Sequence, residues 1–404
     1  MNVLELSEQE IIRRNSMNEL RAMGIEPYPA AEYVTNAFST DIKAEFNDDA
    51  EPRQVSVAGR IMSRRIMGKA SFIELQDSKG RIQVYITRDD ICPDEDKEMY
   101  NTVFKRLLDL GDFIGIEGFV FRTQMGEISI HAKKLTVLAK SIKPLPIVKY
   151  KDGVAYDSFE DPELRYRQRY VDLIVNDGVK EKFLKRATVI KTMRAVLDEA
   201  GYTEVETPIL QSIPGGASAT ELYLKRLIVG GFEGVYEIGK NFRNEGMDKN
   251  HNPEFTCMEL YVQYKDYNWM MSFTEKLLER ICIAVNGCTE TEIDGKTISF
   301  KAPYRRLPIL EAIKEKTGYD LEGKSEDEIR QVCKELNMEI DDTMGKGKLI
   351  DEIFGEFCEG TFIQPTFITD YPVEMSPLTK MHRSKPGLTE RFELMVNGKE
   401  LANA

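Results

Sequence analysis

The sequence has no apolar run long enough to span a bilayer, and its N-terminus, MNVLELSEQEIIRRN, has no charged segment followed by the apolar stretch of a secretory signal. Its six cysteines (Cys92, Cys257, Cys282, Cys288, Cys333, Cys358) form no CxxC pair and no cluster with histidine. These absences argue against a membrane protein, a zinc site and a disulfide frame. They point instead to a reducing, cytoplasmic compartment in which cysteine is a packing residue. No internal repeat is visible. What is there is 404 residues, 42% of them apolar, enough for two or three domains with cores of their own.

A net charge of −13 argues against nucleic acid as a partner of the whole surface, but the charge is uneven. Residues 53–140 hold 15 Lys and Arg against 12 Asp and Glu, a surplus of three, so the remainder carries −16. A mildly basic module beside an acidic body is compatible with local contact to nucleic acid. Charge alone fits ordinary solvated surface equally well.

Residues 7–23 predict a helix, with Ser7 and Glu10 as a capping box and Gly24 as its stop. Between 55 and 140 the texture changes to five short alternating runs: VSVAGRIM, ASFIELQD, GRIQVYIT, DFIGIEGFVF and EISIHAKKLTVL. Turn signals such as DSKG separate them, the pattern of a small closed or half-closed barrel. Arg64, Arg65, Phe72, Gln83 and Tyr85 on such strands suit stacking on unpaired bases and reading of their edges. Periodicity by itself instead favours Phe72 and Tyr85 as barrel core. KPLPIVK (143–149) is a Pro-containing connector. A helix follows at about 178–200, with one apolar stripe (Val179, Phe183, Ala187, Ile190, Met193, Leu197) and Gly201 as its stop. GYTEVETPIL reads as a strand closed by Pro208, and residues 305–360 read as helices with acidic faces.

GVYEIGKNF (234–242) and FTCMELYVQY (255–264) both alternate, so NFRNEGMDKNHNPEF between them is the tip of an antiparallel hairpin. GVYEIGK has the spacing of a P-loop. It ends in Asn241 rather than Ser or Thr, and it alternates like a strand, so a P-loop is excluded. Arg243 offers a planar fork for phosphate, His251 a donor to polyphosphate, Phe255 a face for a purine, and Glu245 an acceptor for an amino group. Together they suit a nucleoside triphosphate held on a strand platform. A solvated loop whose charges pair with one another fits as well.

In RFELMVNGKELANA, Asn397-Gly398 between apolar runs signals a two-residue hairpin turn. That turn pairs 396 with 399, 395 with 400 and 393 with 402, placing Glu393 and Glu400 on one face as diagonal neighbours. Two such carboxylates suit magnesium, or pairing with a nearby Lys or Arg. Simple alternation puts Asn403 on the opposite face from Glu400, so a bulge is needed to bring the two together.

These pieces resemble a class II aminoacyl-tRNA synthetase of subclass IIb and the lysyl kind, over nearly the whole chain. GRIMSRRIMGKASFIELQD resembles its OB-fold anticodon domain, and DPELRYRQRYVDLI its entry to the catalytic domain. Residues 183–210 resemble motif 1, which ends in a proline, here Pro208. FRNEG…HNPEFT resembles motif 2, while ELYLKRL and SPLTKMHRSKPGLTERFEL are similar to lysyl-type segments.

The resemblance implies an α+β chain: an N-terminal OB-fold β-barrel and a class II catalytic domain built on an antiparallel sheet flanked by helices. Its segments would be a helical extension (1–52), the OB-fold (53–142), a linker (143–160) and an incomplete catalytic domain (161–404) with a helical insertion at about 305–360. It implies ATP contacts at Arg243, Glu245, His251, Phe255 and Glu259, with Arg243 and Glu245 catalytic. Lysine contacts fall at Gly216, Glu221, Tyr261 and Asn403, with Glu221 facing the substrate ammonium. Anticodon contacts fall at Arg64, Phe72, Gln83 and Glu127, and Mg2+ ligands at Glu393 and Glu400. It also implies tRNA(Lys) and L-lysine as substrates and a homodimer through the motif 1 region. Against the family pattern, motif 3 and a segment after Ala219 are absent. The alternatives are an aspartyl- or asparaginyl-type ligase of the same subclass and a non-catalytic, synthetase-derived tRNA-binding protein. Amino-acid-dependent ATP–pyrophosphate exchange separates the first; an intact mass at 46.3 kDa with no adenylate formed would mark the second.

Overall fold

The computed structural model describes residues 6–146, 149–151, 154–156, 159–209, 218–244, 246–247 and 252–404, with 149–151, 154–156 and 218–221 described by backbone alone. It divides into two compact units, Met1–Val179 and Lys180–Ala404.

The first unit opens with α1 (Glu8–Ala22), whose capping box is the expected one. Ser7 Oγ accepts from Glu10 N, Glu10 accepts from Ser7 N, and Gly24 follows the helix at φ 77°. After α2 (Ser39–Ala44) come β1 (Gln54–Met67), β2 (Ala70–Gln76), β3 (Arg81–Thr87), the short α3 (Arg88–Ile91), a π-helical segment (Met99–Leu107), β4 (Phe113–Arg122) and β5 (Ile128–Ala139). The five strands close into a barrel in the order β1-β2-β3-β5-β4. Alternation sends Ile73, Leu75, Val84, Ile86, Ile114 and Ile130 inward, where each is at most 1% exposed. Strands β4 and β5 approach so closely at a register shift that a Cβ on Gly118 would lie 2.0 Å from the His131 carbonyl oxygen, so only glycine fits there. A short hairpin, β6 (Lys149–Lys151) and β7 (Val154–Tyr156), and helices α4 (Pro162–Arg167) and α5 (Arg169–Val175) complete the unit.

Helix α6 (Val179–Glu199) occupies the predicted span and ends at Gly201, φ 82°. Its stripe divides in two: Leu197 is buried, whereas Phe183 is 45% exposed and Ala187 is exposed too. The strand expected over 201–210 shrinks to β8 (Thr203–Glu204). Beyond it the backbone leaves the sheet, and Glu237 takes its hydrogen bonds instead, accepting from Thr207 N and Oγ1 at 2.8 Å each.

Next come α7 (Ser218–Val229), β9 (Gly234–Phe242), β10 (Glu254–Val262), α8 (Tyr267–Asn286), the hairpin β11 (Glu290–Ile293) and β12 (Lys296–Ser299), and β13 (Arg305–Pro308). Helices α9 (Ile309–Thr317), α10 (Glu326–Glu335) and α11 (Lys346–Phe357) then precede β14 (Thr366–Thr369), β15 (Phe392–Val396) and β16 (Lys399–Asn403). Residues 305–308, read as the start of the helical stretch, form a strand because they pair in parallel with β14.

Among the described residues the antiparallel core is carried by two mixed sheets, β10-β9-β8 and β13-β14-β15-β16. Each has one parallel pair, β8 with β9 and β13 with β14. Tyr236, Leu197 and Tyr202 form the core under the first sheet, joined by Met258, Leu260 and Val262 from β10. The second packs Phe367, Phe392 and Leu394 on one side and Ile368 and Met395 on the helical side.

Candidate active site

Strands β9 and β10 pair antiparallel from Glu254 opposite Phe242 to Val262 opposite Gly234, the hairpin the alternation predicts. The P-loop-like segment is strand throughout. Because Met258, Leu260 and Val262 face the helix layer, Phe255, Cys257, Glu259 and Tyr261 share the other face. Thr207, Glu237, Gly239 and Asn241 join Cys257 and Glu259 around a cleft on that face.

At the hairpin tip, Arg243 N donates to Pro253 O at 2.9 Å, extending the ladder by one bond. The Arg243 guanidinium carbon stands 5.2 Å from the centre of the Phe255 ring. A cation and an aromatic face are thus held together over the same strand end. Deeper along the strand, the Lys225 ammonium lies 5.6 Å from the centre of the Tyr261 ring. Glu221 precedes Lys225 by one turn of α7. Burial pushes the Cys257 thiol up, with the Glu259 charge adding to it and Arg243 opposing it. Glu245, His251 and Gly216 lie outside the described residues.

The second constellation sits on β15 and β16. Asn397 and Gly398 both take positive φ (50° and 69°), the left-handed pair that a tight hairpin turn needs. The register runs 396 with 399 and 395 with 400, as expected, then shifts so that 394 meets 402 and 393 meets Asn403. The predicted pairing of 393 with 402 is therefore corrected by one residue, and Leu401 is the extra residue of a bulge. The bulge turns Asn403 onto the face of Glu400, and Asn403 Nδ2 donates to Glu400 Oε1 at 2.6 Å. Glu393 is on this face too. Burial raises its carboxyl above the ordinary range, Arg391 opposes the rise, and the charge of Glu400 adds to it.

Arg391, which sequence reasoning missed, ion-pairs with Glu393, bonds Ser376 Oγ at 2.8 Å and covers the Tyr371 ring at 4.7 Å. The only sequence signal for it was the alternation that puts 391 and 393 on one side of the strand. Among the described residues no three His, Cys, Asp or Glu converge as a ready-made metal cluster.

On the barrel, Phe72 and Tyr85 are not core, contrary to the periodicity reading. Their inward neighbours Ile73 and Val84 fix the strand phase and leave them half-exposed outside. Their rings stand 4.9 Å apart, and Tyr85 continues to His131 at 5.2 Å and Phe121 at 6.1 Å. Phe119 joins through His131 at 4.8 Å. The FVF run of β4 carried this signal, since Phe119 and Phe121 flank the buried Val120. Gln83 Oε1 accepts from Ser129 Oγ at 2.9 Å beside the rings, and Glu127 ion-pairs with Lys43 at 3.5 Å on the β4–β5 turn. Arg64 is spent differently: its guanidinium donates to Phe104 O and Leu108 O at 2.7 and 2.6 Å, capping the π-helical segment.

An antiparallel platform with an arginine–aromatic pair, an acidic hairpin and a five-stranded barrel with an aromatic face define a class II tRNA synthetase with a nucleic-acid-binding module. Residues 161–404 match the family described as tRNA synthetases class II (D, K and N), and residues 55–138 match the OB-fold nucleic acid binding domain.

A lysine–tRNA ligase of Porphyromonas gingivalis strain W83 is 65% identical over 425 residues, covering 100% of this chain and 74% of the relative. Those of Azobacteroides pseudotrichonymphae and Christiangramia forsetii are each 60% identical, covering 99% of this chain and 84% and 73% of theirs. The chain belongs to the lysine–tRNA ligase family of ATP-dependent aminoacyl-tRNA synthetases.

Proposed function

We propose that this chain activates lysine with ATP and charges tRNA(Lys) through the platform and hairpin described above. The lysine carboxylate attacks the α-phosphorus of ATP, the bond to the β-phosphate oxygen breaks, and pyrophosphate leaves. The tRNA 3′-terminal hydroxyl then attacks the carbonyl of lysyl-adenylate, and AMP departs. No protein nucleophile is required, so positioning and electrostatics carry the rate.

The Arg243–Phe255 pair carries this reading: the ring offers adenine a stacking face while the guanidinium meets the α-phosphate, where charge develops. Glu245 and His251 would position ATP from the hairpin tip, with Glu259 on the same strand. Tyr261, Asn403, Gly216 and Glu221 would form the lysine pocket. Tyr261 already holds one ammonium against its ring, that of Lys225, which is the chemistry a lysine substrate presents.

Glu393 and Glu400 fit a magnesium ion, because their charges raise one another's cost and a divalent cation would relieve it. When bound, the ion would neutralise phosphate charge. Phe72, Gln83 and Glu127 would read the anticodon, Phe72 by stacking, with Arg64 shaping the barrel behind them.

The segments follow as 1–52 extension, 53–142 anticodon barrel, 143–160 linker and 161–404 catalytic domain. The exposed half of the α6 stripe (Phe183, Leu184, Ala187) supports a homodimer through this helix. No helix among the described residues is long and apolar enough to cross a membrane, and six free cysteines suit a cytoplasmic enzyme. ATP–pyrophosphate exchange with lysine, aspartate and asparagine in turn tests the reading. Exchange with lysine alone is expected; exchange driven by aspartate or asparagine instead overturns it.

A further inference from the structure

Away from the cleft on β9 and β10, the segment KTISFKAPYRR (296–306) carries four cations and no acid, in a chain where Asp and Glu outnumber Lys and Arg 68 to 55. It forms one wall of a groove of about 410 Å³ within the second unit. Lys301 and Arg305 come from this wall and Lys316 from the end of α9, while Phe362, Thr361 and Gln364 supply floor and rim.

The charge balance of the groove is uneven. Arg305 is met by Glu315 in two bonds of 2.6 and 2.8 Å. Lys301 and Lys316 are exposed and form no ion pair with any described residue. The rim is fixed rather than loose: Gln364 accepts from Ser299 N at 3.0 Å and donates to Thr297 O at 2.8 Å, tying β12 to the start of β14. Two uncompensated ammonium groups on opposite walls of a formed groove, with hydroxyl and amide groups between them, suit a ligand bearing phosphate groups. Surface cations without acidic partners give up little when they meet a phosphate and release its counterions.

We propose that this groove holds the phosphate backbone of tRNA on the catalytic unit, a contact separate from the barrel's aromatic face. The inference rests on the tRNA-charging reading. The acidic balance of the chain explains why it is needed: an RNA is repelled by most of this surface and is retained only where cations outnumber acids.

Footprinting and a double variant test it. With the wild-type chain, an amine-reactive reagent should label Lys301 and Lys316 less when tRNA is present and equally with or without ATP and lysine. Equal labelling with and without tRNA overturns the proposal. Protection by inorganic tripolyphosphate but not by tRNA makes this a small-anion site and overturns the RNA assignment. In Lys301→Gln/Lys316→Gln, tRNA affinity should fall about 5- to 10-fold at moderate salt, and the slope of log affinity against log salt should drop by about 1–2, the count of phosphates released. Lysine-dependent ATP–pyrophosphate exchange without tRNA should be unchanged. An unchanged salt slope overturns the proposal, whereas loss of exchange in the wild type would instead count against the catalytic reading.

Discussion

Asn403 Nδ2 and Glu400 Oε1 lie 2.6 Å apart on one face of β16, although they are three residues apart and strict alternation would separate them. Leu401, bulged out and 51% exposed, is what reconciles them. Deleting Leu401 should therefore cost little packing but turn Asn403 away. The expected result is loss of lysine-dependent exchange comparable to Asn403→Ala, with a thermal midpoint close to that of the parent. Full activity in the deletion would show that the bulge does not set the site.

Arg243 is proposed to meet charge that develops only during adenylate formation. Replacing it by Ala should lower lysine-dependent ATP–pyrophosphate exchange by about 10²- to 10³-fold, the scale of losing one such donor. Replacement by Lys should restore little, since an ammonium lacks the fork. Stopped-flow or radiolabel exchange assays check both variants, and near-normal rates in the Ala variant would remove Arg243 from the mechanism.

Phe72 stands in the ring cluster outside the barrel, so Phe72→Ala should leave the fold and lysine activation intact. Loss of one stacked base should weaken tRNA binding by about 1–3 kcal/mol. Filter binding reads the affinity, and exchange without tRNA serves as the control. An undiminished affinity would return Phe72 to a purely structural part.

Glu390 is held well below the usual carboxylate range, to about 2, chiefly by hydrogen bonds from the Arg383 side chain. A depressed carboxyl stabilises the fold above its ordinary value near 4.5, and the contribution is lost as pH falls toward 2. Glu390→Gln should thus cost about 1 kcal/mol at pH 7, a single charge-assisted contact at a partly exposed site. The gap between variant and parent in urea midpoint should narrow below pH 4.5. A gap that widens on acidification would contradict the assignment.

Much of this was legible in the sequence because the decisive signals were local. Ser7 with Glu10, Gly24, Gly201 and Asn397-Gly398 each fix an element end through backbone chemistry that needs no partner. The barrel followed from alternation alone. What the sequence hid depends on long-range choices. Which face of β2 and β3 points inward is settled by the closed barrel, so Phe72 and Tyr85 could not be placed by period 2 alone. Residues 305–308 became a strand only because β14 lies alongside. The bulge at Leu401 was needed by the site rather than announced by any residue type. Arg391 was invisible because its meaning comes from Tyr371 and Ser376, 20 and 15 positions away in the chain.

The barrel strands carry two inventories at once: aliphatic residues inside and rings outside, offset by a single position. Sliding β2 by one residue would exchange Phe72 with Ile73 and ruin both packing and recognition together. Adaptation of this surface to a different RNA is therefore confined to replacing outward residues one at a time, never to shifting the strands that bear them.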